Sequence, residues 1–242
     1  MLSAISILAA IAFLTAPARA QGGLVAAYSF GEGAGTTVAD ASGNGNTGVI
    51  ANAAWTTAGK YGNALVFNGT NSRIAINDSP ALHLSTGMTL EAWVNLSKVT
   101  NNWRDVIYKG NDNYFLEATS QHGSRPAVGG TFGSTGVEVY GTSALTANTW
   151  AHLAATYDGA TLRLYVNGLQ VASAARTGNL ATSANPLEIG GDSIYGQFFQ
   201  GTIDEIRVYN ITLTAAQIQT DMAIYSRTTA GCSATMQPHF NG

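Results

Sequence analysis

The sequence is poor in charged residues, which make up 10% of its 242 positions, against roughly 25% in an average soluble protein. The 11 basic and 14 acidic residues give a net charge of −3. Proteins that bind nucleic acid through phosphate contacts carry an excess of basic residues, so this composition excludes that class. Intrinsic disorder is excluded as well, because 45% of the residues are hydrophobic and disordered segments are low in such residues.

Cysteine is almost absent, since Cys232 is the single one and lies near the carboxyl end. A chain with one cysteine can form no internal disulfide, so its stability must come from packing. A domain of about 200 residues buries enough surface for that. No His or Lys adjoins Cys232 to activate its thiol, and we interpret it as a free surface thiol.

The longest apolar run, residues 2–15, is too short for a membrane-spanning helix, which needs about 20 apolar residues. Pro17 follows it, and Ala18-Arg19-Ala20 then places small residues where signal peptidase cleaves. We therefore predict a signal peptide over residues 1–20 and a secreted, periplasmic or extracellular protein. The one departure from the usual pattern is that no basic residue precedes the apolar run.

The rest of the chain consists of short apolar or alternating runs between turns rich in Gly, Asn, Thr and Ser. Strands are predicted at 24–30, 64–68, 73–77, 89–96, 106–109, 114–118, 137–141, 151–157, 161–167, 171–175, 187–190 and 202–209. Asp158-Gly159 and Asn167-Gly168 are dipeptides typical of tight hairpin turns. A single helix is predicted at 214–222, where Thr214 can cap and Gln217 lies three residues on. This pattern predicts an all-β fold of two antiparallel sheets packed face to face.

Three sequence blocks carry a resemblance to a known family. They are Ala27-Tyr28-Ser29-Phe30 with Gly31-Glu32-Gly33 and then Asp40-Ala41-Ser42-Gly43-Asn44-Gly45-Asn46; Gly62-Asn63-Ala64-Leu65-Val66-Phe67-Asn68-Gly69; and Phe199-Gln200-Gly201-Thr202-Ile203-Asp204-Glu205-Ile206-Arg207-Val208-Tyr209-Asn210. Through them the chain resembles laminin-G-like domains of the concanavalin A-like lectin/glucanase family. The resemblance implies a jelly-roll domain at 21–222 and a tail at 223–242. Family members include carbohydrate-binding modules, lectins, adhesion modules, hydrolases and lyases, so it implies the fold more sharply than the function.

The segment 40–46 has oxygen-bearing side chains at alternate positions with glycines between them, which is typical of the start of a calcium loop. Calcium takes about six to eight oxygen ligands, so the loop alone cannot complete a site. The resemblance supplies Asp204, because the last long strand of this fold returns beside the first. We predict a structural Ca2+ held by Asp40, Asn46, Asp204 and the carbonyl oxygen of Gly43. The alternative is a plain Asx turn without a metal.

Trp103 lies in a polar stretch of the middle loops, and an exposed aromatic ring offers a flat face that suits a sugar ring. Basic side chains nearby would add affinity for an anionic sugar. The predicted ligand-binding residues are Trp103, Arg104, Lys109, Tyr114, Arg125 and Tyr195. The alternative for each of them is packing within the sheets or under the loops.

Signals for catalysis are weak. The chain has no Gly-x-Ser-x-Gly elbow and no Glu-x-Asp-x-x-Glu string of the kind found in retaining glycosidases of this fold. Glu117, Glu138 and Glu188 are isolated in the sequence. A lyase would need a Tyr and a His or Gln near a cation, for which the nearest set is Gln121, His122, Arg125 and Tyr114. No catalytic residue is predicted.

The function predicted from the sequence is therefore binding, by a secreted module framed by calcium. Its expected partner is an extracellular glycan or a glycosylated surface. A glycoside hydrolase or polysaccharide lyase of the same fold is the alternative. Adhesion to another protein is a third alternative, which a large exposed apolar patch would indicate.

Overall fold

The computed structural model of the protein describes residues 23–224. The predicted signal peptide, nearly all of the predicted tail and Cys232 lie outside the described residues. In chain order the strands are β1 (Leu24–Tyr28), β2 (Thr37–Val38), β3 (Gly48–Ala51), β4 (Ala54–Thr56), β5 (Ala64–Asn68), β6 (Arg73–Ile76), β7 (Met88–Leu96), β8 (Arg104–Lys109), β9 (Tyr114–Thr119), β10 (Ala127–Phe132), β11 (Thr135–Tyr140), β12 (Trp150–Tyr157), β13 (Thr161–Val166), β14 (Leu169–Ala175), β15 (Leu187–Ile189) and β16 (Gln200–Tyr209). One α-helix, α1 (Ala215–Met222), follows them within the described part of the chain.

The strands form two antiparallel sheets of eight strands each, which confirms the predicted fold class. In the first sheet the order is β14-β13-β12-β7-β16-β5-β4, and β1 also pairs with β16. In the second sheet the order is β11-β10-β9-β8-β15-β6-β3-β2. The predicted turn at Asn167-Gly168 joins β13 to β14, and both of its residues have positive φ, at 50° and 74°. Such angles are those of the tight turns that match strand twist.

One apolar core fills the space between the sheets. Successive side chains of a strand point to opposite faces, so in β7 Leu90, Ala92 and Val94 enter the core. The same alternation in β9 sends Tyr114 and Leu116 into the core. The intervening Phe115 and Glu117 therefore lie on the outer face of the second sheet, where they form part of the candidate site.

Helix α1 lies against the outer face of the first sheet. Its amino end has the predicted capping box: the Gln217 amide donates to Thr214 Oγ1 at 3.3 Å, and the Thr214 amide donates to Gln217 Oε1 at 2.9 Å. Ile218 packs with Tyr165 and Tyr209 of the sheet beneath it. Among the described residues, no helix has the length and apolar character needed to cross a membrane.

Strand β10 is one that the sequence did not predict, and its register explains why. Gly129 lies directly opposite Phe115 of β9, and a Cβ atom on Gly129 would be 2.2 Å from Phe115 Cζ. The Phe115 ring therefore occupies the space that a side chain at position 129 would need. Two successive glycines weaken the strand signal in sequence, whereas here one of them makes room for an aromatic ring.

Candidate functional site

A cavity of about 200 Å³ opens on the outer face of the second sheet, and we call it the outer-sheet pocket. Strands β9, β10 and β11, the loop before β8, the turn after β8 and the loop after β15 supply its lining: Trp103, Asp112, Phe115, Glu117, Gly130, Thr131, Gly136, Val137, Glu138, Tyr195 and Gln197. Its volume is below the roughly 300–1,000 Å³ typical of sites for drug-sized molecules. The pocket therefore suits a small ring rather than a large cofactor.

Aromatic rings form two walls of the outer-sheet pocket. Trp103 is half-buried and meets Phe115 edge to face, with ring centres 6.4 Å apart. Across the pocket Tyr195 is 53% exposed and packs edge to face on Tyr108 at 6.4 Å. The Tyr195 hydroxyl donates to Asp112 Oδ2 at 3.2 Å. Each ring is thus fixed by neighbours while part of its surface stays open.

Asp192 holds the loop that carries Tyr195 and Gln197. Its carboxylate accepts hydrogen bonds from the amides of Ile194 and Gln197, each at 2.8 Å, and from the amide of Tyr195. Burial acts to raise the pKa of Asp192, but hydrogen bonds from the Asp105 side chain and these amides outweigh it and lower the pKa. The ionised Asp192 therefore places both side chains at the pocket.

Two further buried carboxyl groups lie side by side, and one of them, Glu117, lines the pocket. Asp105 of β8 is directly opposite Glu117 of β9, and their exposed fractions are 0% and 2%. Burial, reinforced by the charge of Glu117, raises the pKa of Asp105 well above its usual value. Burial also raises the pKa of Glu117 to about 7. At neutral pH the pair therefore retains a proton.

The structure brings together some of the predicted ligand-binding residues. Trp103 and Tyr195 line the same pocket. Arg104 and Arg125 lie nearby but turn away from it: Arg104 Nη1 donates to the carbonyl oxygen of Phe198 at 2.6 Å. Arg125 Nε donates to the carbonyl oxygen of His122 at 2.6 Å. Neither guanidinium group is part of the lining.

Lys109 and Tyr114 are corrections to the predicted set, because both are only 1% exposed. The Lys109 ammonium donates to Asp78 Oδ1 at 2.8 Å and to the carbonyl oxygen of Ser183 at 3.0 Å. Tyr114 points into the core, where its hydroxyl donates to the carbonyl oxygen of Leu82 at 3.1 Å. That orientation also separates Tyr114 from His122 and breaks up the lyase set considered from the sequence.

Sequence reasoning missed the acidic residues around the pocket. It treated Glu117 and Glu138 as isolated, whereas both line the outer-sheet pocket. Asp105 and Asp192 were not considered as site residues at all. The alternation in β9 places Glu117 opposite to the core-facing Leu116, which is a usable signal. Its partners depend on strand pairing, which the sequence does not supply.

The four predicted calcium ligands take part in separate hydrogen-bond sets. Asp40 Oδ1 accepts from the amides of Ala27 and Ser42, at 3.0 and 2.9 Å. Asp40 Oδ2 accepts from the Asn46 amide at 3.0 Å, which makes 40–46 an Asx-type turn. Asp204 instead accepts from the Tyr61 amide at 2.9 Å, and no contact of the Gly43 carbonyl oxygen joins the two carboxylates.

Within residues 23–224, no group of three or more His, Cys, Asp or Glu is placed to hold a metal ion. The two predicted carboxylate ligands, Asp40 and Asp204, accept hydrogen bonds from separate sets of amides, and the role of calcium stays a prediction. The Asn46 amide group donates to the carbonyl oxygen of Val25 at 2.7 Å. Hydrogen bonds from Asn46 and to Asp40 thus attach this loop to β1.

The family follows from a match of more than half the chain. Residues 68–219 match the laminin G model of the concanavalin A-like lectin/glucanases superfamily. The chain belongs to this superfamily. The predicted family is thereby confirmed. The two-sheet sandwich of this superfamily member is the fold described above. All residues that line the outer-sheet pocket lie within the matched segment.

Curated relatives match one segment of this superfamily member. Pappalysin-1 of Mus musculus is 38% identical over 78 residues, which is 30% of this chain and 5% of that protein. Pappalysin-1 of Homo sapiens is 35% identical over 86 residues, or 34% and 5%. The chain thus matches only about one-twentieth of the length of these relatives.

Solved structures share the fold over most of the chain. Domain 4 of AbnA, a GH43 extracellular arabinanase from Geobacillus stearothermophilus solved in complex with arabinotriose, is similar with a TM-score of 0.66. It is 25% identical, and the match covers 82% of this chain and 98% of that domain. The binding domain of Paraclostridial Mosquitocidal Protein 1 has a TM-score of 0.68 at 15% identity, covering 85% of this chain and 53% of that one. At that identity the likeness concerns the fold alone.

Proposed function

We propose that this protein is an exported carbohydrate-binding module and that the outer-sheet pocket holds a sugar ring of an extracellular glycan or glycosylated surface. The observation that carries the proposal is the placement of Trp103 and Tyr195 on two walls of one cavity. Flat aromatic faces beside polar groups are what a sugar ring needs, because its C–H faces are apolar and its rim is hydroxylated.

Polar groups around the rings supply hydrogen bonds for sugar hydroxyls. Glu117 on the floor, Glu138 and Thr131 on one side and Gln197 on the loop all reach the cavity. A carboxylate accepts from hydroxyl groups, and an amide side chain both donates and accepts. Because several strands and an Asp192-fixed loop hold these groups, little ordering is needed when a ligand binds.

The similarity to domain 4 of AbnA supports the same function. That domain was solved with arabinotriose, and almost the whole of the domain matches this chain. An oligosaccharide is therefore the first ligand class to test. Export rests on the apolar run, Pro17 and Ala18-Arg19-Ala20, which have the order of a signal peptide.

A hydrolase is a second candidate, because Glu117 and Glu138 line the same pocket. Glycoside hydrolysis uses two carboxyl groups on either side of the scissile bond, one of them with a raised pKa. Glu117, with its pKa raised by burial to about 7, has the property of the acid. This candidate predicts product formation, whereas the binding module predicts retention alone.

The test is retention of the purified chain on a panel of immobilised neutral, acidic and amino-sugar polysaccharides. We expect wild type to be retained on at least one of them and Trp103→Ala to be lost from it. Trp55→Phe is the control, since Trp55 lies on β4 in the other sheet. Retention of Trp103→Ala equal to wild type would overturn the assignment of the pocket. New reducing ends or unsaturated sugars in the supernatant would identify a hydrolase or a lyase.

A further inference from the structure

The charge around the outer-sheet pocket has one sign. Three carboxyl groups line it, on Asp112, Glu117 and Glu138, and among the described residues no Lys, Arg or His side chain does. The Lys109 ammonium is paired with Asp78, and His122 and Arg125 lie outside the lining, beside the rings of Trp103 and Tyr140. A ligand with negative charge would meet repulsion from these carboxylates, with no cation in the pocket lining to offset it. The anionic sugar that the basic residues suggested in sequence therefore does not suit the pocket.

One of these carboxyl groups is buried with an oxygen atom that lacks a donor. Glu117 is 2% exposed, and its Oε2 atom accepts no hydrogen bond from any described residue. Its neighbour Asp105 is likewise without a donor at both oxygens. Two adjacent acceptors can bond only through a proton that they share. A donor or a positive charge arriving from the pocket would satisfy Glu117 directly.

The aromatic walls favour a positive charge as well. A cation over the face of a Trp or Tyr ring is attracted by the ring quadrupole, by about 0.5–1 kcal/mol at exposed sites. Trp103 and Tyr195 both present open ring surface at the pocket. Metal ions are poorly served here, because within the described part of the chain no acidic group of three is placed to hold one.

We propose that the outer-sheet pocket selects a sugar ring that bears a free protonated amine, as in the glucosamine units of a deacetylated amino-sugar polymer. The proposal rests on the proposed function, that this pocket binds a glycan. The ring stacks on Trp103 or Tyr195, and its ammonium group pairs with the Glu117 carboxylate. A neutral N-acetylated ring of the same shape lacks that ion pair.

Binding of such a ring is coupled to a proton. The groups that face Glu117 are the Asp105 and Asp192 carboxyl groups, the Asp112 carboxyl group and the backbone of Arg104. Burial raises the pKa of Glu117 to about 7, with the charges of Asp192 and Asp112 adding to the rise. A ligand ammonium favours the ionised carboxylate, so its binding releases a proton near neutral pH.

The test is titration calorimetry of the full chain with glucosamine oligomers and with N-acetylglucosamine oligomers of equal length, at about pH 6, where an amine is protonated. We expect the amine form to bind about tenfold more tightly, the factor that corresponds to one extra ion pair. Near neutral pH, the heat measured in buffers of different ionisation enthalpy should show proton release for the amine form only. Spermidine serves as a cation without a sugar ring and should bind weakly.

Variants locate the effect. Glu117→Gln keeps the size of the side chain but cannot ionise, and should lose most of the preference for the amine together with the proton release. Glu32→Gln, an exposed carboxylate outside the pocket lining, should keep it. Thermal melts establish that both variants are folded.

Equal affinity for both oligomers, or tighter binding of the N-acetylated one, overturns the proposal while leaving glycan binding intact. Spermidine binding as tight as glucosamine oligomers also overturns it, because the sugar ring then contributes nothing. Failure of every glycan in the panel to bind contradicts the proposed function itself.

Discussion

Asp105 and Glu117 face each other from neighbouring strands as a buried carboxyl pair, and Glu117 lines the outer-sheet pocket. When two carboxyl groups are buried side by side, the ionisation of one disfavours the ionisation of the other, so one proton remains with the pair. The protonated carboxyl group can donate a hydrogen bond, and the ionised one can accept two. The carboxyl pair can therefore either donate a hydrogen bond to a ligand in the pocket or accept one from it.

The carboxyl pair makes stability depend on pH. The folded chain keeps the Glu117 proton up to about pH 7, whereas an unperturbed Glu loses it near 4.5. Between these values the folded state binds more protons than the unfolded state, so the free energy of unfolding falls as pH rises. Glu117→Gln cannot ionise and should exceed wild type in stability above pH 7 by about 1–3 kcal/mol.

Urea unfolding of wild type and Glu117→Gln at acidic and mildly alkaline pH measures this difference. Glu138→Gln is the matched control, because the Glu138 side chain is exposed and its charge costs little in the folded state. Identical pH profiles for wild type and Glu117→Gln would mean that the carboxyl pair ionises normally.

Tyr195 and its neighbour Ile194 allow a paired test of the pocket wall. Their exposed fractions are 53% and 47%, yet only Tyr195 lines the pocket. We expect Tyr195→Ala to weaken binding of the retained glycan about tenfold, a loss of roughly 1.4 kcal/mol, and Ile194→Ala to leave it within about twofold. Affinity electrophoresis in glycan-containing gels measures both. A similar loss for the two variants would point to the loop as a whole rather than to the Tyr195 ring.

A larger side chain at Gly136 would block the pocket without replacing any of the side chains that we propose bind the sugar. It lies in the lining, and a Cβ atom at this position would meet no atom within 4 Å. Gly136→Leu should therefore fill the cavity, abolish glycan retention and change the melting temperature by less than about 2 °C. Gly31→Leu is the control, since Gly31 is exposed and lies outside the pocket lining. Undiminished binding by Gly136→Leu would show that the ligand does not enter the cavity.

The fold was predictable because its strands alternate. The runs at 64–68 and 161–167 correspond to β5 and β13 with bounds that differ by at most one residue. Strand β10 was missed, since Gly129 and Gly130 remove the alternating side chains by which a strand is recognised. The reason for Gly129 is the Phe115 ring, which a one-dimensional pattern does not contain.

The aromatic residues of the site could be predicted from the sequence, whereas the pairing of its buried carboxyl groups could not. Trp103 stands out because its sequence neighbours are polar, and Tyr195 follows a glycine-rich turn. The pairing of Asp105 with Glu117 depends on two irregularities of register between Arg104 and Ile107, which shift which side chains share a face. A strictly periodic strand model cannot produce such a shift.

The loop 40–46 permits a last prediction, on the origin of its rigidity. Asp40 accepts hydrogen bonds from Ala27, Ser42 and Asn46. Asp40→Ala leaves those donors without an acceptor and should cost about 1–3 kcal/mol of stability. Asp40→Asn retains one oxygen and should lose less. Because hydrogen bonds need no ion, we expect each loss to be equal in calcium and in chelator.

Thermal melts of wild type, Asp40→Ala, Asp40→Asn and Asp204→Ala under both conditions separate the two accounts. Asp204 tests the predicted ion, because it shares no hydrogen bond with Asp40 and accepts from Tyr61 instead. If calcium raises the melting temperature of wild type and this gain disappears in both Asp40→Ala and Asp204→Ala, the two carboxylates share an ion. The calcium prediction would then be right, and hydrogen bonds would not suffice to explain the order of the loop.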